Sequence, residues 1–233
     1  MLCKQFGGKM LKLEHINKTI NRNKILVDVN YTFNKGQLYP ILGPLNSGKT
    51  TLIKCIAGDL SINSGEIKTK AKSTIFEAAK QSVLPMFITG YDFIKMLCDM
   101  AAGHNKVEEY LKLVNLPQSA WNITISDYSF EDKKRIQLAA FLIQKPYVIL
   151  FDEPMDYCSE EYIEDFLRIV NIMKEEHIII ITTGLFEIAE KISSDIVIMN
   201  NGELNLLSRD TLQVPEIRQA VEDLVGEAED EII

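Results

Sequence analysis

Long apolar runs are missing from this 233-residue chain. None approaches the ~20 residues needed to cross a bilayer. The start, MLCKQFGGKMLKLEH, lacks the extended apolar stretch of a signal peptide. A membrane role is therefore expected only through a partner. Cysteine is scarce: Cys3, Cys55, Cys98 and Cys158 show no CxxC spacing, and His15, His104 and His177 are scattered. This spacing argues against a zinc site or a disulfide frame and for reduced thiols in a cytosolic protein. Basic charge is also short, with 25 Lys and Arg against 33 Asp and Glu, a net charge of -8. Residues 216–233 hold seven acids against Arg218, so the rest of the chain is nearly neutral. No broad nucleic-acid-binding face is indicated. Repeats and low-complexity tracts are absent. A 46% hydrophobic and 25% charged composition excludes the disordered and fibrous classes.

The pattern of the chain is α/β. MLKLEHINKTI alternates apolar and polar residues and reads as an edge strand, and KILVDVNYTFNKGQ reads as a second strand ending near Gly36. LYPILG is a short buried strand. TTLIKCIAGD has helical spacing and a C-cap at Gly58. Strands are expected in INSGEIKTK and KSTIFEA, and helices across residues 91–116 and 132–143. YVILFD and HIIIITT read as buried strands flanking a helix over 160–174, followed by a helix over 186–192 and a strand in DIVIMNNGEL. Apolar strands alternating with helices imply a parallel sheet covered on both faces. The block 82–140 reads as a helical insertion, and the acidic end as a solvated helix that frays.

Two segments carry chemistry. GPLNSGKTT, from Gly43 through Pro44, Leu45, Asn46, Ser47, Gly48, Lys49 and Thr50 to Thr51, fits G-x-x-x-x-G-K-[ST]. Gly43 and Gly48 let the backbone curve tightly, so that amides and a helix N-terminus face a phosphate chain. Lys49 would lie beside the terminal phosphates of ATP, and Thr50 would offer its hydroxyl to Mg²⁺. In YVILFDEP, Asp152 and Glu153 end a buried strand, where side chains project into the ligand crevice. Asp152 is placed to hold Mg²⁺, and Glu153 to polarise an attacking water.

These blocks, with SFEDKKRIQLAAFLIQKPYVILFDEP and DIVIMNNGEL, resemble the ATPase subunit of ABC transporters over nearly the whole chain from Met10 to about Leu207. The resemblance implies a P-loop NTPase core with a mainly parallel sheet, an antiparallel N-terminal β subdomain and a short α-helical insertion. The implied divisions are an extension at 1–9, the ATPase domain at 10–210 with its helical part near 82–140, and an acidic tail at 211–233. It also implies ATP and Mg²⁺ as cofactors and Gln81 as a further Mg²⁺-sensing residue. Its partners would be a second ABC ATPase chain, identical or not, and a membrane-spanning transporter subunit. The chain would then lie in the cytoplasm, on the inner face of the membrane through that subunit.

The departures from the family pattern are local. Where the family reads LSGGQ, this chain reads YSFED, keeping Ser129 as a donor to a neighbour's phosphate. Phe130, Glu131 and Asp132 then put bulk and negative charge against a negative ligand. Gly184 stands where the family has a histidine, Ile20 where an aromatic stacks on adenine, and Ser159 where an aspartate follows the second acidic motif. The reading is the ATPase subunit of an ABC transporter, coupling ATP binding and slow hydrolysis to separate membrane subunits. Turnover would be impaired in a homodimer, and an asymmetric pairing with a regular cassette is the other arrangement. The alternative is a catalytically weak regulatory or assembly module with no transport role.

Overall fold

Strand order follows from where apolar residues leave no solvent-facing side. The computed structural model describes residues 10–69, 75–78, 84–101 and 106–226. The central sheet contains β3 (Leu38–Leu42), β5 (Ile75–Ala78), β6 (Val148–Phe151), β7 (Ile178–Thr183), β8 (Ile196–Asn200) and β9 (Glu203–Leu207). Their order is β5-β6-β7-β3-β8-β9. All pairs are parallel except β8 with β9. Every residue of β3, β6 and β7 is buried, as expected for strands covered on both faces. Val148, Leu150, Ile178 and Ile180 pack into one core layer, and Ile149, Phe151, Ile179 and Ile181 into the other.

A smaller antiparallel sheet has the order β2-β1-β4, with β1 (Met10–Ile20), β2 (Asn23–Asn34) and β4 (Ser64–Lys68). β1 is therefore central rather than an edge strand. Its alternating pattern shows one buried face, with Leu11, Leu13 and Ile16 fully covered, and alternation does not reveal how many neighbours a strand has. Those residues pack with α1 (Lys49–Ala57) in the first core layer. The opposite layer takes α2 (Gly90–Met100), α3 (Val107–Leu113), α4 (Phe130–Gln144) and α5 (Glu160–Met173).

Two sequence expectations change here. DIVIMNNGEL is a hairpin and not one strand: Asn201 and Gly202 both have positive φ, 48° and 80°, between β8 and β9. An Asn-Gly pair favours this two-residue turn. The acidic end is also not wholly solvated. After α6 (Phe186–Ile192) and the short α7 (Arg209–Leu212), α8 (Pro215–Gly226) buries Val221 and Val225 beside Phe186 and Leu42. Its acids line the other face, which is the amphipathic pattern of a docked helix.

Candidate functional site

β3 runs straight into Gly43, so the Gly43–Thr51 turn begins at the C-terminal end of a buried strand. A Cβ on Gly43 would collide with the Met199 carbonyl and lie 2.7 Å from Ser47 Oγ. Gly48 has φ +108° and is the N-cap of α1; a Cβ there would meet Met199 Cε at 2.8 Å. Both positions need glycine because of close backbone approach. Asn46 also has positive φ, Leu45 is exposed, and Thr51 lies in the first turn of α1. The Ser47 amide donates to Pro44 O at 3.2 Å, while Ser47 Oγ is buried with no hydrogen-bond partner among the described residues. An orphaned buried hydroxyl in a glycine-bounded turn is what an acceptor-rich ligand would satisfy. Lys49 is 5% exposed; its ammonium donates to Gly43 O at 2.6 Å and Pro44 O at 2.9 Å. Glu153 Oε1 lies 3.6 Å away. Burial pulls the Lys49 pKa below its usual value, opposed by the charges of Glu153, Asp152 and Asp156.

The end of β6 supplies the facing wall. Asp152 is 3% exposed and accepts from Thr50 Oγ1 at 2.9 Å through Oδ2. This contact joins residues 102 positions apart. A hydroxyl beside a carboxylate is a hard-oxygen set suited to Mg²⁺. Among the described residues no group of three or more His, Cys, Asp or Glu gathers at one point. Glu153 has φ +48°, an uncommon conformation for a residue with a side chain. Its amide donates to Thr182 Oγ1 at 3.0 Å, and the same Thr182 hydroxyl donates to Asp152 Oδ1 at 2.8 Å. Sequence reasoning treated Thr182 only as part of a strand. The signal was the two threonines closing a run of four isoleucines, since polar residues at the C-terminal end of a parallel strand face the crevice. Gln81 lies outside the described residues.

The 128–132 segment does not point its carboxylates where the sequence implied. Ser129 is the N-cap of α4; its Oγ accepts from the Asp132 amide at 3.1 Å and donates to Asp132 Oδ2 at 2.7 Å. Glu131 reaches α5 instead, accepting from the Ser159 amide at 2.5 Å and the Ser159 hydroxyl at 3.0 Å. The two acids are thus held by partners within the chain: Asp132 sits one turn from the hydroxyl that caps its own helix, and Glu131 meets the serine that caps the neighbouring helix. Phe130 is half exposed, with the Lys134 ammonium 4.6 Å from its ring centroid. Lys134 also donates to Pro154 O at 2.7 Å, next to Glu153. Gly184 follows β7, and a Cβ there would meet only Gly43 O, at 4.0 Å. Ile20 ends β1 and is partly exposed. A cavity of about 260 Å³ lies at the opposite end of β3, lined by Tyr31, Gln37, Lys174 and Asp195. The convergence of buried Lys49 and Asp152 with Thr50 and half-buried Glu153 makes the cradle, rather than that cavity, the candidate site.

Residues 26–156 match the model of the ABC transporter family. The glutamine transport ATP-binding protein GlnQ of Geobacillus stearothermophilus is 27% identical over 215 residues, covering 84% of this chain and 88% of its own. The energy-coupling factor transporter ATP-binding protein EcfA2 of Mycoplasma genitalium is 23% identical, covering 94% of this chain and 86% of its own. Two solved structures share the fold. One is an ATP binding subunit of an ABC transporter, with a TM-score of 0.77 at 19% identity, over 95% of this chain and 98% of that one. The other is the dimeric post-hydrolysis state of the ATP-binding cassette MJ0796 bound to ADP and Pi, with a TM-score of 0.74 at 20% identity, over 85% of this chain and 98% of that one.

Proposed function

This chain belongs to the ABC transporter family, and we propose that within it the chain binds Mg-ATP at the 43–51 turn and hydrolyses it slowly to drive separate membrane subunits. The observation that carries this reading is the Thr50–Asp152 hydrogen bond, which brings the turn and the end of β6 into one site beside buried Lys49. The names of relatives such as GlnQ, a transport ATP-binding protein, support transport over a regulatory role. Among the described residues no helix is long and apolar enough to cross a membrane; in this reading the membrane path belongs to a partner. Gln81 and the helical part near 82–140 of a 10–210 domain would meet that partner, and α8 packs onto that domain through Val221 and Val225. A second cassette chain would complete the site from the 128–132 side.

In this mechanism the ATP phosphates take the place of the Gly43 and Pro44 carbonyls as acceptors for Lys49. Their charge favours the protonated ammonium and so opposes the burial that lowers its pKa. The amides of the turn and the start of α1 hold the phosphate oxygens, and Ser47 Oγ gains the partner it lacks. Thr50, Asp152 and Gln81 would hold Mg²⁺, which when bound neutralises charge on the phosphate oxygens. Glu153 accepts a proton from a water whose oxygen attacks the γ-phosphorus; the bond to the β–γ bridging oxygen breaks and ADP departs. Ser129 is already paired with Asp132, and Gly184 offers no imidazole, which supports slow turnover.

Nucleotide binding and ATP turnover of the purified chain test this reading. Lys49→Ala is expected to weaken Mg-ATP binding severely, and Glu153→Gln to keep binding while lowering turnover by at least about 100-fold. Gly184→His, which meets open space, is expected to raise turnover. Binding indifferent to Lys49 would refute the assignment.

A further inference from the structure

Thr182 has no side chain facing solvent and is 0% exposed, yet it is polar and lies on the central strand β7. The parallel register pairs Leu150 with Ile180 and Phe151 with Ile181, so one step further Asp152 stands opposite Thr182. Residues 148, 150, 178 and 180 face the layer that holds α1. Asp152 and Thr182, at the same parity, face it as well, and Thr50 is on α1. The hydroxyl of Thr182 makes two short contacts, besides a longer one of 3.4 Å to Phe151 O. It donates to Asp152 Oδ1 at 2.8 Å and accepts the Glu153 amide at 3.0 Å. Asp152 Oδ2 is left to Thr50. Both carboxylate oxygens are therefore aimed by hydroxyls, and the left-handed backbone at Glu153 is held by the second bond.

We propose that Thr182 is a positioning residue for the Mg-ATP site, setting with one hydroxyl both the rotamer of Asp152 and the backbone of Glu153. The inference rests on the roles assigned above to Asp152 and Glu153. A valine of the same shape keeps the packing but removes the bonds that Thr182 makes to the Glu153 amide and to Asp152 Oδ1, so Asp152 can turn away from Thr50. Partners behind a metal-holding carboxylate tune affinity for the ion more than for the rest of the ligand. Thr182 is fully buried and bonds to Asp152 and Glu153 rather than to the 43–51 turn, so binding without Mg²⁺ is expected to be unaffected by its loss.

The test uses the full chain and a fluorescent ATP analogue, titrated in EDTA and across a range of Mg²⁺ concentrations. For Thr182→Val, the Mg²⁺ concentration giving half-maximal binding is expected to rise about tenfold, with binding in EDTA unchanged. Thr182→Ser, which keeps the hydroxyl, is expected to stay within about twofold of the parent. In an Asp152→Asn background Thr182→Val is expected to add nothing. Should Thr182→Val fail to fold by thermal melting, Thr182→Cys replaces it, since a thiol is a weak donor and acceptor. An unchanged Mg²⁺ requirement in the valine or cysteine variant overturns the proposal. So does an equal loss in EDTA, or a serine variant as impaired as valine. A parent chain that binds the analogue with no response to Mg²⁺ overturns the site reading itself, and this inference with it.

Discussion

Glu77 sits on β5, opposite Leu150 of the strand that leads to Asp152. One of its carboxylate oxygens, Oε2, is buried with no hydrogen-bond partner among the described residues. Burial first, and then the neighbouring carboxylates of Asp59 and Asp152, push its pKa from 4.5 to about 7. A folded-state pKa above the unfolded one means that the folded chain holds the proton more tightly. The stabilisation is complete below pH 4.5 and is lost as pH rises through about 7. The full shift would correspond to about 3 kcal/mol, but Glu77 is only partly buried, and screening by water reduces the expected effect to about 1 kcal/mol. Glu77→Gln, neutral at all pH, is expected to flatten the fall in urea-unfolding stability between pH 5 and pH 8. An equal slope in parent and variant would assign the pH dependence to another group. Sequence inspection offered no sign of this residue, because its raised pKa depends on Asp59 and Asp152 arriving from distant elements.

At the scale of elements, the junction of α4 and α5 shows how a replaced turn keeps its place. Ser129 caps α4 and Ser159 caps α5, the latter accepting from the Tyr162 amide at 3.3 Å. Glu131 links the two helix starts by two hydrogen bonds to Ser159. Carboxylates near helix N-termini also complement the helix dipole. Ser159→Ala removes a cap and a partner of Glu131, and is expected to cost about 1–2 kcal/mol in chemical denaturation. In a double-mutant cycle with Glu131→Ala the losses should be less than additive. Strict additivity would show that the Glu131–Ser159 contact contributes nothing. The serines, Glu131 and the helices themselves were legible as residue types and periods. The pairing of Glu131 with Ser159 was not, since residues 28 positions apart meet only when the helices converge.

At the scale of the whole molecule, one buried ion cluster ties the helical layer together. Arg135 of α4 donates to Asp165 of α5 at 2.5 Å and to Val114 O, at the end of α3, at 2.9 Å. Asn115 donates to the other oxygen of Asp165 at 2.6 Å, and the Arg135 guanidinium lies 5.4 Å from the Tyr162 ring centroid. Desolvation raises the Asp165 pKa, but the hydrogen bonds from Arg135 and Asn115 outweigh it and hold the carboxyl below its usual value. The contribution is thus present above the unfolded value of 3.8 and is lost as pH falls through the folded one. Asp165→Ala strands the Arg135 charge in the interior and is expected to cost about 3 kcal/mol. Arg168→Ala, at a half-exposed partner of the same acid, is expected to cost less than about 1 kcal/mol. Urea denaturation of both variants checks the contrast, and similar losses would contradict it.

Local rules in the chain were enough to read the α/β class, the buried strands, the glycine-bounded turn at 43–51 and the acidic pair at 152–153. Each depends on spacing, on turn chemistry or on a run of apolar residues, which are properties of neighbours in sequence. Tertiary structure alone decided that β1 is central and that α8 docks through Val221 and Val225. It alone decided that Glu131 turns toward Ser159, and that one hydroxyl on β7 aims both members of the acidic pair. These depend on strand order, register and helix convergence. Such long-range contacts form only when segments far apart in the chain are brought together, and no local pattern encodes which partner each side chain meets.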